Sequence, residues 1–336
     1  MFQYDLSHQA TVMTAVNNFV ELALNLDLSH DDFILHLCQL IPAFKTFDQD
    51  GVKYHASVQV FKYVVHALDQ SRKESSIEEY LTQLSLSEIK GLRHILVNYR
   101  SQILEEIRLF RLQELDNQNS FLAYVQQIIQ DHYKVLIVRV DLGYLKDSMF
   151  DISVHDFYRN IESLCKYLKD KNGCFKHLLG YGLALEQGSS KGYHAHLMLI
   201  YNGSERCKDW FLANEVIQEW QTITDGLGYG MNNNTAERKE HFARRGLLGI
   251  GMIHRSNLEE IQNALTVARY LVQPEKYLQQ MLVKPIGKRT FFKGIYREHG
   301  RNYKTVRNSH VLGDKTGIWS HQDVLRLSDD SVIIHP

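Results

Sequence analysis

The chain has 336 residues, 44% apolar and 23% charged, with a formal net charge of −1. That length suits two domains or one large one, and the composition is ordinary for a soluble globular protein. Four cysteines, Cys38, Cys165, Cys174 and Cys207, form no CxxC pair and no metal-binding spacing, MFQYDLSHQA is no signal sequence, and no apolar run reaches the ~20 residues of a membrane helix; a reduced, cytoplasmic protein with no membrane partner is expected.

Residues 1–128 read as a helical accessory domain. TVMTAVNNFVELAL, SVQVFKYVVHAL, SSIEEYLTQL and SEIKGLRHILVNYRSQILEEIRLFRLQEL repeat apolar residues at three- and four-residue steps. No chemical signature stands in this part. The character changes at residue 134, where KVLIVRVDLGY reads as a strand by its β-branched density. SVHDFYRNIESLCKYLKDK follows as a helix with Ser153 as N-cap, Asp156 in its first turn and Asn172-Gly173 as its end. FKHLLGYGLALEQ and YHAHLMLIYN are two strands of a hairpin joined by GSSKG. CKDWFLANEVIQEWQTIT is a helix, DGLGYGMNNN a loop by its glycine and asparagine content, and RGLLGIGMIHR a strand. SNLEEIQNALTVARYLVQ is a helix with a Ser256–Glu259 capping box. Strands separated by helices, with a hairpin at the centre, give an α+β fold around a largely antiparallel sheet, preceded by the helical domain. The second domain spans residues 129–310, and 311–336 form a C-terminal tail.

Charge is unevenly spread. Residues 1–130 hold 16 acidic against 10 basic side chains, whereas the remainder holds 23 against 28. Lys284, Lys288, Arg289, Lys293, Arg297, Arg301, Lys304 and Arg307 oppose only Glu298, with Phe291, Phe292, Tyr296 and Tyr303 interleaved. Such a segment suits a phosphate backbone and stacked bases, and equally a solvated basic surface. Lys191, Arg244 and Arg245, with Arg238 and Lys239, are further candidates for the same DNA path.

His194 and His196 flank Ala195 at the mouth of the apolar run Leu197–Ile200. Among 17 histidines, chance alone gives roughly one such pair, so the weight lies in the context. Residues two apart on a strand share a face, and an apolar run on both faces marks a central strand. If Gln187 pairs with Tyr193 across the hairpin, Glu186 lies opposite His194 and joins both imidazoles on one face; a slip of one residue sends it to the other. Two imidazoles and a carboxylate can hold a divalent ion with positions left for water or phosphate. A polar cross-strand cluster without metal is the alternative. Asp141, at the end of the first strand, is another acidic ligand or a partner for Arg139.

His194-Ala195-His196, preceded by VRVDLGY and LEQGSSKG and followed by ARYLVQPEKYL, resembles the HUH endonucleases, and within them the inovirus-type rolling-circle replication initiators of phages, prophages and phage satellites. The resemblance covers roughly residues 130–300. It implies a ferredoxin-like palm with the histidine strand central, and a replication initiator that nicks and rejoins single-stranded origin DNA through a 5′-phosphotyrosine. It further implies Mg2+ or Mn2+ held by His194, His196 and Glu186, Tyr270 as nucleophile, and Lys276 in the cationic role that many relatives place three residues after the tyrosine, where this chain has Gln273. Origin DNA, single-stranded or supercoiled, and a host helicase are the partners it implies. A DNA-binding protein with a decayed site and a metal-dependent hydrolase using water are the other readings.

Leu258, Ile261, Leu265, Ala268 and Val272 form an apolar stripe, which puts Tyr270 on the polar side with Asn263 and Thr266. Pro274 should kink or restart the helix, leaving Tyr277 as a second tyrosine on the segment. His241 and His254 read as ordinary polar or packed histidines.

Overall fold

The computed structural model describes residues 4–25, 28–72, 75–188 and 190–296. Five helices come first, α1 (Gln9–Asn25), α2 (His30–Phe47), α3 (Ala56–Ser71), α4 (Ile77–Thr82) and α5 (Leu86–Asn98), with a short strand β1 (Val52–Tyr54) between α2 and α3. The long helix α6 (Arg100–Asp131) leads into β2 (Lys134–Tyr144), α7 (Val154–Asp170), β3 (Leu178–Gly188), β4 (Gly192–Asn202), α8 (Asp209–Ile223) and β5 (Gly228–Asn232). Then come α9 (Ala236–Arg244), β6 (Gly251–His254), α10 (Leu258–Leu271), a 3-10 stretch Pro274–Gln279, β7 (Val283–Pro285) and β8 (Phe291–Lys293). The fold is thus α+β, with a helical N-terminal region and an antiparallel sheet. The boundary expected near residue 128 falls inside α6, and residues 297–336, the expected tail 311–336 among them, lie outside the described residues.

The main sheet has the order β5-β2-β4-β3-β8, with β6 also pairing β2, and every pairing is antiparallel. β4 is central, as its apolar run requires: Leu197, Met198, Leu199 and Ile200 are all fully buried. One face of the sheet, with Leu142, Leu185, Ala195 and Leu199, shares a core with α1, α7 and α8. The other, with Ile137, Ala184, Met198 and Ile200, packs on Phe121, Val125 and Ile128 of α6 and on Ala264, Ala268 and Leu271 of α10. Gly182 permits this second layer, since a Cβ there would overlap the Phe121 ring.

Local chemistry sets the element ends. Ser153 caps α7 in a reciprocal box with Asp156, and Lys171 takes the left-handed conformation after its last turn. Two expectations need correction. Residues 228–232 form β5 rather than a loop, because Gly228 and Gly230 let the backbone lie close against Trp220 and Ile217 of α8. The cap of α10 is Asn257, not Ser256: its side chain accepts from the backbone N–H groups of Glu259 and Glu260. The buried line of α10 is also turned from the expected stripe. Leu258, in the first turn, is 81% exposed, while Ala264, Ala268 and Leu271 are buried. No helix among the described residues is long and apolar enough to cross a membrane.

Candidate metal centre

Gln187 pairs with Tyr193, which sets Glu186 opposite His194 and Ala184 opposite His196. On the other side of β4, Asp141 of β2 lies opposite His196. Glu186, His194, His196 and Asp141 therefore share one face, at the end of the sheet beyond the apolar layer of α6 and α10. All three members of the Glu186–His194–His196 group are buried, and one potential ligand atom from each lies within 4.8 Å of the others.

The hydrogen bonds fix which ring nitrogens face inward. His194 Nδ1 is 3.1 Å from the Gly192 carbonyl oxygen and His196 Nδ1 is 2.5 Å from Asp141 Oδ1. In the neutral rings that a metal requires, a ring N–H donated to each of those acceptors would leave the lone pair on Nε2. The two Nε2 atoms converge on one oxygen, Glu186 Oε2, at 3.5 Å from His194 and 3.1 Å from His196. Ligands about 2.1 Å from an ion stand roughly 3–4 Å from one another, so this spacing fits a single small divalent cation. An outer carboxylate on Nδ1 is the usual support for a metal-bound imidazole; Asp141 thus stands behind His196 as an orienting partner rather than within the ligand group. It also accepts from Arg139 at 3.2 Å, the strand-end pairing that its position suggested.

The cluster is strongly coupled electrostatically. Burial opposes the charged form of Glu186, yet Lys276 and His196 outweigh it and hold the carboxyl well below the usual carboxylate range. Burial likewise opposes the Asp141 anion, but His196, with Arg139 behind it, keeps the carboxyl well below its ordinary value. For His196 burial disfavours the cation, and Asp141 and Glu186 more than offset that, raising its pKa.

Lys276 links this cluster to α10. Its Nζ is 2.8 Å from Glu186 Oε1 and 4.4 Å from the centre of the Tyr270 ring. The helix ends at Leu271 and the chain resumes as the 3-10 stretch from Pro274, so the restart expected at the proline brings Lys276 back over half-buried Tyr270. Tyr277 belongs to the same stretch. Glu114 of α6 was not singled out by sequence. It is buried, accepts from Asn117 Nδ2 at 3.0 Å, and lines a small cavity of about 30 Å³ with Glu186, Lys276 and Gln273. Burial, with Glu186 nearby, raises its pKa. The signal for it was an acid on the apolar line Phe110, Phe121, Val125 of a helix.

The basic candidates scatter. Lys288 pairs with Glu162 of α7, and Lys293 Nζ binds Ser120 Oγ at 2.6 Å. With exposed Arg289, Lys169, Tyr181 and Phe292 they line a groove of about 470 Å³ between α7 and β8. Tyr181, five residues before Glu186 on β3, and Phe292, which pairs with Leu183, face away from the triad, whereas Lys293 pairs with Gly182 and reaches α6 on the triad's side of the sheet. Lys284 is half-buried in β7. Lys191 sits in the β3–β4 turn beside the cluster. Arg244 pairs with Glu240 at 2.6 Å on the exposed face of α9, and Arg245 caps that helix. Arg297 lies outside the described residues. His254 Nδ1 lies 3.0 Å from Glu260 Oε2, and His241 lies edge-on against Phe242.

Residues 111–244 match the model of a family described as the YagK/YfjJ C-terminal domain. The match takes in Glu114, Asp141, Glu186, His194 and His196 and stops before Tyr270. No curated protein and no solved structure matches the chain.

Proposed function

We propose that the chain is a metal-dependent DNA endonuclease and strand transferase of the HUH type, built on a ferredoxin-like palm, that initiates replication of a phage-like element. The observation that carries this reading is the pair of imidazoles whose Nε2 atoms converge with Glu186 while their Nδ1 atoms are engaged elsewhere, beside a tyrosine reached through Lys276. The chain order β2-α7-β3-β4-α8-β5 supports the palm, since a β-α-β-β-α-β unit is that fold's signature.

In this reading His194, His196 and Glu186 hold Mg2+ or Mn2+, which when bound polarises the scissile phosphate. Asp141 keeps His196 oriented. Lys276 Nζ, 4.4 Å from the centre of the Tyr270 ring and 2.8 Å from Glu186 Oε1, supplies positive charge beside the nucleophile and the attacked phosphate. The Tyr270 oxygen attacks phosphorus, the bond to the 3′ oxygen breaks, and the phenol's proton is lost while the departing oxygen gains one. The products are a 5′-phosphotyrosine and a free 3′-hydroxyl, and the retained phosphodiester energy lets the strand be rejoined.

The test is incubation of the protein with Mn2+ and labelled single strands tiling the DNA around its gene. The expected result is cleavage with a covalent protein–DNA adduct that wild type forms and Tyr270→Phe does not, at undiminished DNA binding. Cleavage without an adduct would replace this mechanism with hydrolysis by water. Binding without cleavage would leave an origin-binding protein, and an adduct mapped to Tyr277 would move the nucleophile by seven residues within the same enzyme class.

A further inference from the structure

The face that carries the triad continues across two more strands. Side chains on it fall into transverse rows. One row is Ala184, His196, Asp141 and Met231, on β3, β4, β2 and β5. In the next, Glu186 lies opposite His194, and Gly143 opposite Tyr229. Gly143 joins the two halves: a Cβ built there would lie 3.4 Å from Tyr229 Cε1 and 3.9 Å from His194 Cβ. The missing side chain leaves room for the tyrosine ring to lie over the strand beside the histidine. β5 is two strands from β4, so Tyr229 stands about 10 Å from the backbone of His194.

Tyr229 is 40% exposed and belongs to neither hydrophobic core. Its neighbour on the same face, Met231, receives the guanidinium of Arg238 at 3.0 Å, and Asn233 Oδ1 holds that guanidinium at 2.6 Å. An open aromatic face and a braced cation thus lie beside the metal centre, on a sheet surface rather than on a loop. Single-stranded nucleic acid is held by this combination, a ring on which an unstacked base can lie and a cation for the adjoining backbone.

We propose that Tyr229 is the platform on which a base of the single-stranded substrate stacks next to the phosphate held at the triad, with Arg238 as the cation for the adjoining backbone. This rests on the reading of the chain as a DNA-nicking enzyme. It also gives the strand a direction across the sheet, from β3 towards β5, away from the basic groove at β8.

The full chain, kept in EDTA so that nothing is cut, is mixed at low salt with a short random-sequence single strand carrying 5-iodouracil in place of thymine, then irradiated and digested. A crosslink on the peptide bearing Tyr229 is expected in wild type. Tyr229→Leu should lose it and bind the strand about tenfold more weakly, the loss of one base–aromatic stack, whereas Tyr229→Phe should bind within about twofold of wild type. Mapping the wild-type crosslink needs no variant, so a Leu variant that misfolds leaves the test intact. If the strand binds but crosslinks only elsewhere, the platform is overturned and the DNA-nicking reading stands. If wild type binds no single strand at all, both fall.

Discussion

His196 stands between two carboxylates, with Asp141 on Nδ1 and Glu186 facing Nε2, and this arrangement makes the cluster's stability depend on pH in two opposite ways. Asp141 and Glu186 have native pKa values depressed below the ordinary ~4. Their contribution is therefore present above that value and lost as pH falls through the lower native values. His196 has a raised pKa, so its contribution is complete below ~6.5 and is lost as pH rises through the higher native value. Urea midpoints measured without metal should decline on both sides of a mildly acidic optimum, and Asp141→Asn should flatten both limbs. Adding Mn2+ should reverse the alkaline decline most, because binding needs the neutral imidazole and stabilises only the folded chain; an equal gain at every pH would place the ion away from His196. The His194→Ala, His196→Ala double variant should keep a cooperative unfolding transition and lose Mn2+ binding in calorimetry, since it removes ligands at the sheet's end rather than apolar core. The His-x-His spacing and the Glu186 register were legible because strand periodicity alone fixes faces. The inward Nε2 atoms were not, because they depend on what Gly192 and Asp141 offer the other nitrogen.

At the scale of elements, the site hairpin is held by amides that sequence gave no reason to notice. Gln187, next to Glu186, donates to the Ala10 carbonyl of α1 at 2.9 Å and accepts from the Leu282 N–H at 3.1 Å. Gln9 of α1 donates to the Phe47 carbonyl at 2.9 Å, while its oxygen accepts from the Val154 N–H at 2.7 Å and from the Tyr193 hydroxyl at 2.9 Å. Val154 opens α7, so Gln9 satisfies one of that helix's unpaired donors. Gln9 is 1% exposed, and water cannot easily replace it. Gln9→Ala should cost about 2–4 kcal/mol by stranding these buried partners, read as a lower urea midpoint at unchanged slope; a shift under about 0.5 kcal/mol would mean the partners find water. Long amphipathic helices and the β-branched strands were legible because their periods are strong. β5 was not, because glycines that admit Trp220 and Ile217 read locally as loop. The cap of α10 moved by one residue because serine and asparagine are both good caps and only the backbone decides between them.

At the scale of the molecule, the N-terminal helices and the sheet share one core. Ala10, Met13 and Phe19 of α1 belong to the same apolar cluster as Leu185, Ala195 and Leu197, the strand positions that alternate with Glu186, His194 and His196. A second tie runs through β1, which pairs with β7 beyond the site segment, Lys53 lying opposite Lys284. The described residues accordingly form one compact unit. The family match begins within α6 and so leaves out the helices that cover one side of this core. Helical periodicity in residues 1–128 revealed their secondary structure but not their docking surface, because an apolar stripe does not say which element it meets. Cooperative burial of this kind predicts one unfolding event. Far-ultraviolet dichroism, dominated by the helices, and fluorescence from Trp220, buried against the sheet, should give coincident urea transitions. Removing residues 1–99 should bare the apolar side of the central strands, so that residues 100–336 aggregate or bind a hydrophobic dye while the full chain does not. A soluble fragment with a sharp transition of its own and intact Mn2+ binding would show that the sheet folds without its helical cover, and would reduce the α1 contacts to docking between independent parts.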